Sequence, residues 1–332
     1  VSSSNNPPRS GAGFEWSATA LAATFTGGLF LDGWAHTHGH MDETFFTPFH
    51  AALYGGFFAM TLLLVGRAAW GVARHGLPWR RAMPDGYGLA LAGVAFWIVG
   101  GPFDAVWHEV FGFEANIEAL MSPAHAVLAV GIALMASGPL RSALRHPRRD
   151  GWRNLTMLLS LTLLVSILTF FTQIAHPVSH LWAAAPTSTM PPALGIVGIL
   201  FTSAILTAPL VFLLRHGRMP GGATALMVGL NAIGMGFLYW RGPYPYAAVA
   251  AIVAAAILVD AVRLVMRPAP ERPHAFRSFA VVLAATPVAA YFVTVAATHG
   301  ITWTTHVWVG VIVFTAAVGW LLSYLVLPPR LD

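Results

Sequence analysis

Two stretches of the chain set carboxylates and imidazoles in the same order. The first, DGWAHTHGHMDETFFTPFH at 32–50, brings Asp32, His36, His38, His40, Glu43 and His50 together, and the second, within 104–131, carries Asp104, His108, Glu118 and His125. Both read D-x-x-x-H, a variable loop, then E-x-x-x-[S/T]-P-x-H-A-x-L. Asp32 thereby pairs with Asp104, His36 with His108, Glu43 with Glu118, Pro48 with Pro123 and His50 with His125. An Asp and a His four residues apart share one helix face, one turn from each other. A proline after Ser or Thr belongs in the first turn of the next helix, where a missing N–H costs nothing, and sets the second His two residues inside it. Each stretch is read as a helical hairpin that offers one carboxylate and two imidazoles at one depth, which is metal-ligand chemistry.

Three ligands per hairpin leave an open coordination position, or make half of a shared dinuclear centre. Imidazole with carboxylate accepts copper, iron or zinc. Glu43 and Glu118 are candidates for outer partners that orient imidazole N–H groups, or for bridging ligands. His38 and His40 occur only in the first copy and are read as peripheral. The simpler alternative is an Asp–His ion pair with structural histidines; recurrence of all three ligand types argues against it, as does the cost of ionisable groups at membrane depth. No catalytic residue is assigned.

The elements that must position these side chains follow from composition. With 57% hydrophobic and 9% charged residues and a mean hydropathy of +0.67, the chain is expected to be an all-α, polytopic transmembrane bundle of about ten helices, in a bacterial-type inner or plasma membrane. The spans are expected near 17–33, 46–66, 87–107, 120–140, 154–172, 193–214, 223–240, 246–266, 278–298 and 306–326. The polar VSSSNNPPRSGAGFEW at 1–16 reads as a flexible cytoplasmic tail, 17–140 as the duplicated hairpin region and 141–332 as a helical scaffold. A pI near 10.1 would mean nucleic acid in a soluble chain. Here the arginines (Arg67, Arg74, Arg80 and Arg81; Arg141 to Arg153; Arg215 and Arg218; Arg263 to Arg277) fall in every second loop, the positive-inside pattern. Both termini then face the cytoplasm, and both hairpin turns face the extracytoplasmic side. Cysteine is absent, so thiolate sites and disulfides are excluded.

Elsewhere the signals are weaker. His176 with His180, and His299 with His306, fall on the same side as the hairpins and read as degenerate further copies of them, and the first pair is a candidate for a metal or pigment site. Asp260 and Arg263 read as an intrahelical ion pair. Tryptophans at the expected interfaces fit an aromatic belt. No phosphate-binding loop, dinucleotide fingerprint or nucleophile triad occurs.

The D-x-x-x-H…T-P-x-H pattern on two consecutive spans resembles the metal-binding hairpin in the C subunit of copper membrane monooxygenases, the particulate methane and ammonia monooxygenase family. The resemblance covers residues 32–56. It implies that Asp32, His36 and His50 are copper ligands and that O₂ oxidises a small apolar substrate at the extracytoplasmic face. It also implies other membrane subunits, one with a soluble copper domain. A metal carrier or transporter, whose paired sites form an outer vestibule, is the first alternative. An accessory subunit of a redox or photosynthetic complex is the second.

Overall fold

The computed structural model describes residues 10–40, 47–112, 117–146, 150–188, 191–239 and 245–329. It is helical: α1 (Ala12–Thr37), α2 (Pro48–His75), α3 (Trp79–Ala82), α4 (Gly88–Phe111), α5 (Ile117–Met121), α6 (Pro123–Ala136), α7 (Gly138–Arg145), α8 (Gly151–Phe171), α9 (Pro177–His180), α10 (Pro192–Arg215), α11 (Ala223–Leu238), α12 (Tyr246–Met266), α13 (Pro273–Thr298) and α14 (Thr305–Val326). Among the described residues seven helices (α2, α4, α8, α10, α12, α13 and α14) are long and apolar enough to cross a membrane, so the chain has the character of a multi-pass membrane protein. The α6–α7 pair, bent by 40°, makes an eighth if it counts as one span. Ten were expected. The 26-residue α1 has the length, but it carries Glu15, Asp32 and many Ser, Thr and Gly residues. The 16-residue α11 reaches only about 24 Å at 1.5 Å per residue, short of the ~30 Å hydrocarbon core.

The chain divides into two compact units, Val1–Ile167 and Leu168–Asp332. In the first, α1 packs along α2 and α4 along α6, with further contacts of α1 to α6 and of α2 to α4. Both pairings cross on glycine, where a missing side chain lets backbones approach. A Cβ on Gly28 would lie 2.8 Å from the Leu53 backbone, and one on Gly100 the same distance from the Leu128 side chain. One turn further along, a Cβ on Gly56 would meet Phe25 at 2.7 Å and one on Gly131 would meet Trp97 at 2.3 Å. In the register of the two sequence stretches, Gly28 corresponds to Gly100, Leu53 to Leu128, Phe25 to Trp97 and Gly56 to Gly131. The same four positions thus make the same two contacts twice.

α1 begins at Ala12, ahead of the expected 17, and its first turn is anchored. Glu15 is buried, and its carboxylate accepts from the hydroxyls of Ser10, Ser142 and Tyr87. Hydroxyl donors on both oxygens supply the compensation that a buried carboxylate needs.

In the second unit α13 packs on α12 and α14, α11 on α12, and α10 on α14, while α9 and the short 3₁₀ turn Gln173–Ala175 rest on α10. Asp260 and Arg263 attract each other across the turn, as expected, but the hydrogen bonds of both go to the start of α11 and the turn before it. Asp260 accepts from Thr224 N–H at 3.2 Å and Ala225 N–H at 2.9 Å, while Arg263 donates to the carbonyls of Pro220 and Met219. The N-cap of α11 is Gly222, which has no side chain to cap with. The orphan N–H groups of that first turn therefore draw the carboxylate across from α12.

Candidate metal centres

Asp32 and His36 lie in the last turns of α1, and His50 lies in the first turn of α2. The T-P-F-H phrase sets the imidazole in place. Thr47 is the N-cap and accepts from His50 N–H at 3.0 Å, and Pro48 occupies the first helical position. This arrangement satisfies one orphan donor and fixes φ where the helix starts. His50 Nε2 then sits 3.4 Å from Asp32 Oδ1, and His36 Nε2 sits 3.8 Å from Asp32 Oδ2.

The second copy repeats this. Ser122 caps α6 and accepts from His125 N–H at 3.5 Å, with Pro123 following it. His125 Nε2 lies 3.2 Å, and His108 Nε2 3.5 Å, from Asp104 Oδ1. Asp104 is buried, at 5% exposure, whereas Asp32 is half-buried. Past His108 the chain turns at Gly112, whose φ of 81° suits glycine alone. Its carbonyl lies 3.4 Å from His108 Nδ1. A proton held there on Nδ1 leaves Nε2 as the lone-pair nitrogen facing Asp104, the orientation metal-bound histidines use.

Both triads could hold a metal ion. In each, one ligand atom from every residue lies within 4.8 Å of the others. Four-coordinate bonds of about 2.0–2.2 Å place neighbouring ligand atoms roughly 3.3–3.6 Å apart. The carboxylate–imidazole separations of 3.2, 3.4, 3.5 and 3.8 Å bracket that range. Among the described residues these are the groups of three or more ligating side chains.

The two triads also lie near each other. His36 is within electrostatic reach of His108 and His125 as well as of His50 and Asp32. Tyr54, one turn below His50 on α2, feels the carboxylates of both Asp32 and Asp104. Its hydroxyl oxygen lies against α4, 3.4 Å from where a Cβ on Gly101 would stand. Its ring meets Trp97 edge-on at 5.7 Å. Sequence reasoning passed over Tyr54, although its i, i+4 spacing from His50 places it on the ligand face. The duplication hid it, because the matching position in the second copy is Ala129.

The remaining expected residues fall elsewhere. His38 stacks on Trp34 with centroids 4.5 Å apart, its Nδ1 is 2.8 Å from the Trp34 carbonyl, and His40 stacks on the same indole at 5.4 Å. Both finish the end of α1 and stand outside the triad. Glu118 is exposed on α5, and Glu43 lies outside the described residues. His176 is buried and bonded to Asn231. His180 packs its ring near Trp182 and Tyr239. His299 and His306 are exposed, and none of these four joins a ligand cluster. No family model matches this chain, and neither a curated protein nor a solved structure matches it.

Proposed function

We propose that this chain is an integral membrane metal-binding protein whose duplicated hairpins each hold one copper ion, and that it serves as a subunit of a membrane monooxygenase-like complex. The observation that carries the reading is the recurrence of one geometry. Asp32, His36 and His50 on one hairpin, and Asp104, His108 and His125 on the other, converge to ligand spacing behind the same capped Pro-x-His turn. The repeated glycine crossings support duplication of the hairpin as a unit.

Copper is preferred to iron or zinc because imidazole-rich sites bind it most tightly among the divalent first-row ions. A closed structural zinc site would use a fourth protein ligand. Bound copper supplies one-electron chemistry toward dioxygen. The chain's part is to hold three ligands, leave a position open, and keep the His108 tautomer ready through the Gly112 carbonyl. Phe103, Val106 and Val110 expose apolar surface on α4 beside Asp104 and His108, so a small apolar substrate reaches the second centre from the lipid. Insertion of one oxygen atom into its C–H bond with reduction of the other to water takes two electrons and two protons. A donor subunit carrying its own redox centre must deliver those electrons. The basic loops favour an extracytoplasmic position for both centres and ten spans in all, α1 and α11 included.

The test is metal content per chain, by mass spectrometry on protein purified without chelators, with a His36→Ala, His108→Ala double variant beside it. About two equivalents of copper in the native chain, lost in the folded double variant, is the expected result. A folded native chain without stoichiometric metal would overturn the reading.

A further inference from the structure

Two arginines of the second unit hold the end of α14. Arg215, in the last turn of α10, donates from Nε to the Val326 carbonyl at 2.8 Å. Arg277, in the second turn of α13, donates from Nη2 to the Leu327 carbonyl at 3.4 Å, and its guanidinium lies over the Tyr324 ring, 4.0 Å from the ring centre. The two acceptors are neighbours in the chain, and α10, α13 and α14 pack on one another. Both positive charges therefore stand where the three helices meet.

The helix end explains the contacts but not the charge. The last carbonyls of α14 have no donor within their own helix, and arginine suits them. A helix C-terminus carries only about half a negative charge, whereas two guanidiniums bring two positive ones. Among the described residues neither arginine has a carboxylate within ion-pair distance. Donors are left over as well. Arg277 Nε is buried without an acceptor, and Arg215 is exposed with only its Nε bonded among the described residues.

The surroundings decide what brings the missing charge. All three helices have the length and composition of membrane spans, so arginines at their ends stand at the boundary between lipid and water. Trp320, Leu321 and Leu325 in the last turns of α14, and Phe212 in the last turn of α10, are exposed apolar side chains. A small soluble anion would meet the donors and leave that surface unused. A phospholipid offers phosphate oxygens to the planar donor forks of arginine and acyl chains to the apolar flank. Basic pockets between spans hold anionic headgroups in this way. A zwitterionic lipid carries its own cation beside the phosphate and leaves the excess charge unanswered.

We infer that Arg215 and Arg277 bind the phosphate of an anionic phospholipid whose chains lie along the exposed end of α14.

The full chain, exchanged into a neutral detergent, is titrated with phosphatidylglycerol, phosphatidylcholine and inorganic phosphate, and bound lipid is counted by native mass spectrometry. The variants are Arg215→Gln and Arg277→Gln, with Arg267→Gln as the control, an exposed arginine in the same unit. Arg215 is exposed, so its variant keeps the test open if Arg277→Gln fails to fold. The first phosphatidylglycerol should bind roughly tenfold more tightly than phosphatidylcholine. That affinity should fall about tenfold in each folded variant, the low end for a hydrogen bond to a charged group, and stay unchanged in Arg267→Gln and in millimolar phosphate. Equal affinity for the two lipids, or full affinity in Arg215→Gln, would overturn the inference. An equal loss in Arg267→Gln would replace the site with a diffuse basic field, and displacement by phosphate would assign the pair to a free anion; either result also overturns it.

Discussion

Each triad residue has a separable job. Asp32 and Asp104 supply charge, and His50 and His125 are set by the capped turn. His36 and His108 ride the preceding helix, each one turn after its aspartate, and the Gly112 carbonyl adds a contact to His108 Nδ1. Removing His50 should lower copper affinity at the first centre by at least about 100-fold, the upper end of what losing a mere orienting partner costs, and leave the second centre loaded. Copper titration of the purified variant reads this directly. Asp32→Asn, which keeps shape and removes charge, should weaken binding less than His50→Ala. His176 yields a different kind of prediction. Burial pushes its imidazole down to about 4 from 6.5, so the folded chain holds it neutral. The unfolded chain binds the proton first as pH falls. Stability from this group is therefore complete above about pH 6.5 and is lost as pH drops toward 4, by about 3 kcal/mol in all. Thermal unfolding of the His36→Ala, His108→Ala protein, in which metal loss does not interfere, should show the decline, and His176→Gln should flatten it. A pH-independent midpoint between 4 and 6.5 would contradict the assignment.

At the scale of the helices, the hairpins were legible because chemistry and geometry left their marks on the same residues. The D-x-x-x-H spacing gave the shared face, and the [S/T]-P-x-H phrase gave the cap, the helix start and the place of the second histidine, all of which the fold contains. Tyr54 and the Glu15 anchor were not legible. Both depend on contacts between elements far apart in sequence, and the hydroxyls that hold Glu15 come from positions 10, 87 and 142. The hydrogen bonds of Asp260 were not legible for a related reason, since they answer a bare helix start on another element. The glycine crossings carry their own prediction, and it separates the two copies. A methyl group on Gly28 meets Leu53 backbone at 2.8 Å, whereas one on Gly100 meets the end of the Leu128 side chain, which can rotate away. Gly28→Ala should therefore destabilise by about 1–3 kcal/mol as α1 and α2 are forced apart. Gly100→Ala should be near neutral, because the helix-propensity gain of about 1 kcal/mol offsets a mild clash. Only the first should also loosen its triad. Unfolding midpoints together with copper affinity for the two variants measure both effects, and equal behaviour would mean that the crossing does not set the ligand spacing.

Over the whole molecule, the candidate metal ligands belong to one compact unit and the His176–Asn231 corner to the other. Lesions in the second unit should stay local: Pro287→Ala should leave copper content unchanged. Within the first unit the opposite holds, because the two centres share an electrostatic field. His36 feels His108 and His125, and Tyr54 feels both carboxylates. Each triad brings one negative charge to a divalent ion, so an occupied centre is left with net positive charge, and like charges repel through the poorly screening protein between them. Filling the second centre must then weaken the first, and by linkage the penalty is the same in either order. Titration of the native chain should resolve two copper affinities that differ by roughly tenfold, which is about 1.4 kcal/mol of repulsion. In His108→Ala, His125→Ala the remaining Asp32 centre should bind with a single affinity close to the tighter native step, since the charge that opposed it is gone. If that centre instead bound with the weaker native affinity, the difference would lie in the ligands themselves, the half-buried Asp32 against the buried Asp104, and the two hairpins would be independent sites that happen to lie near each other.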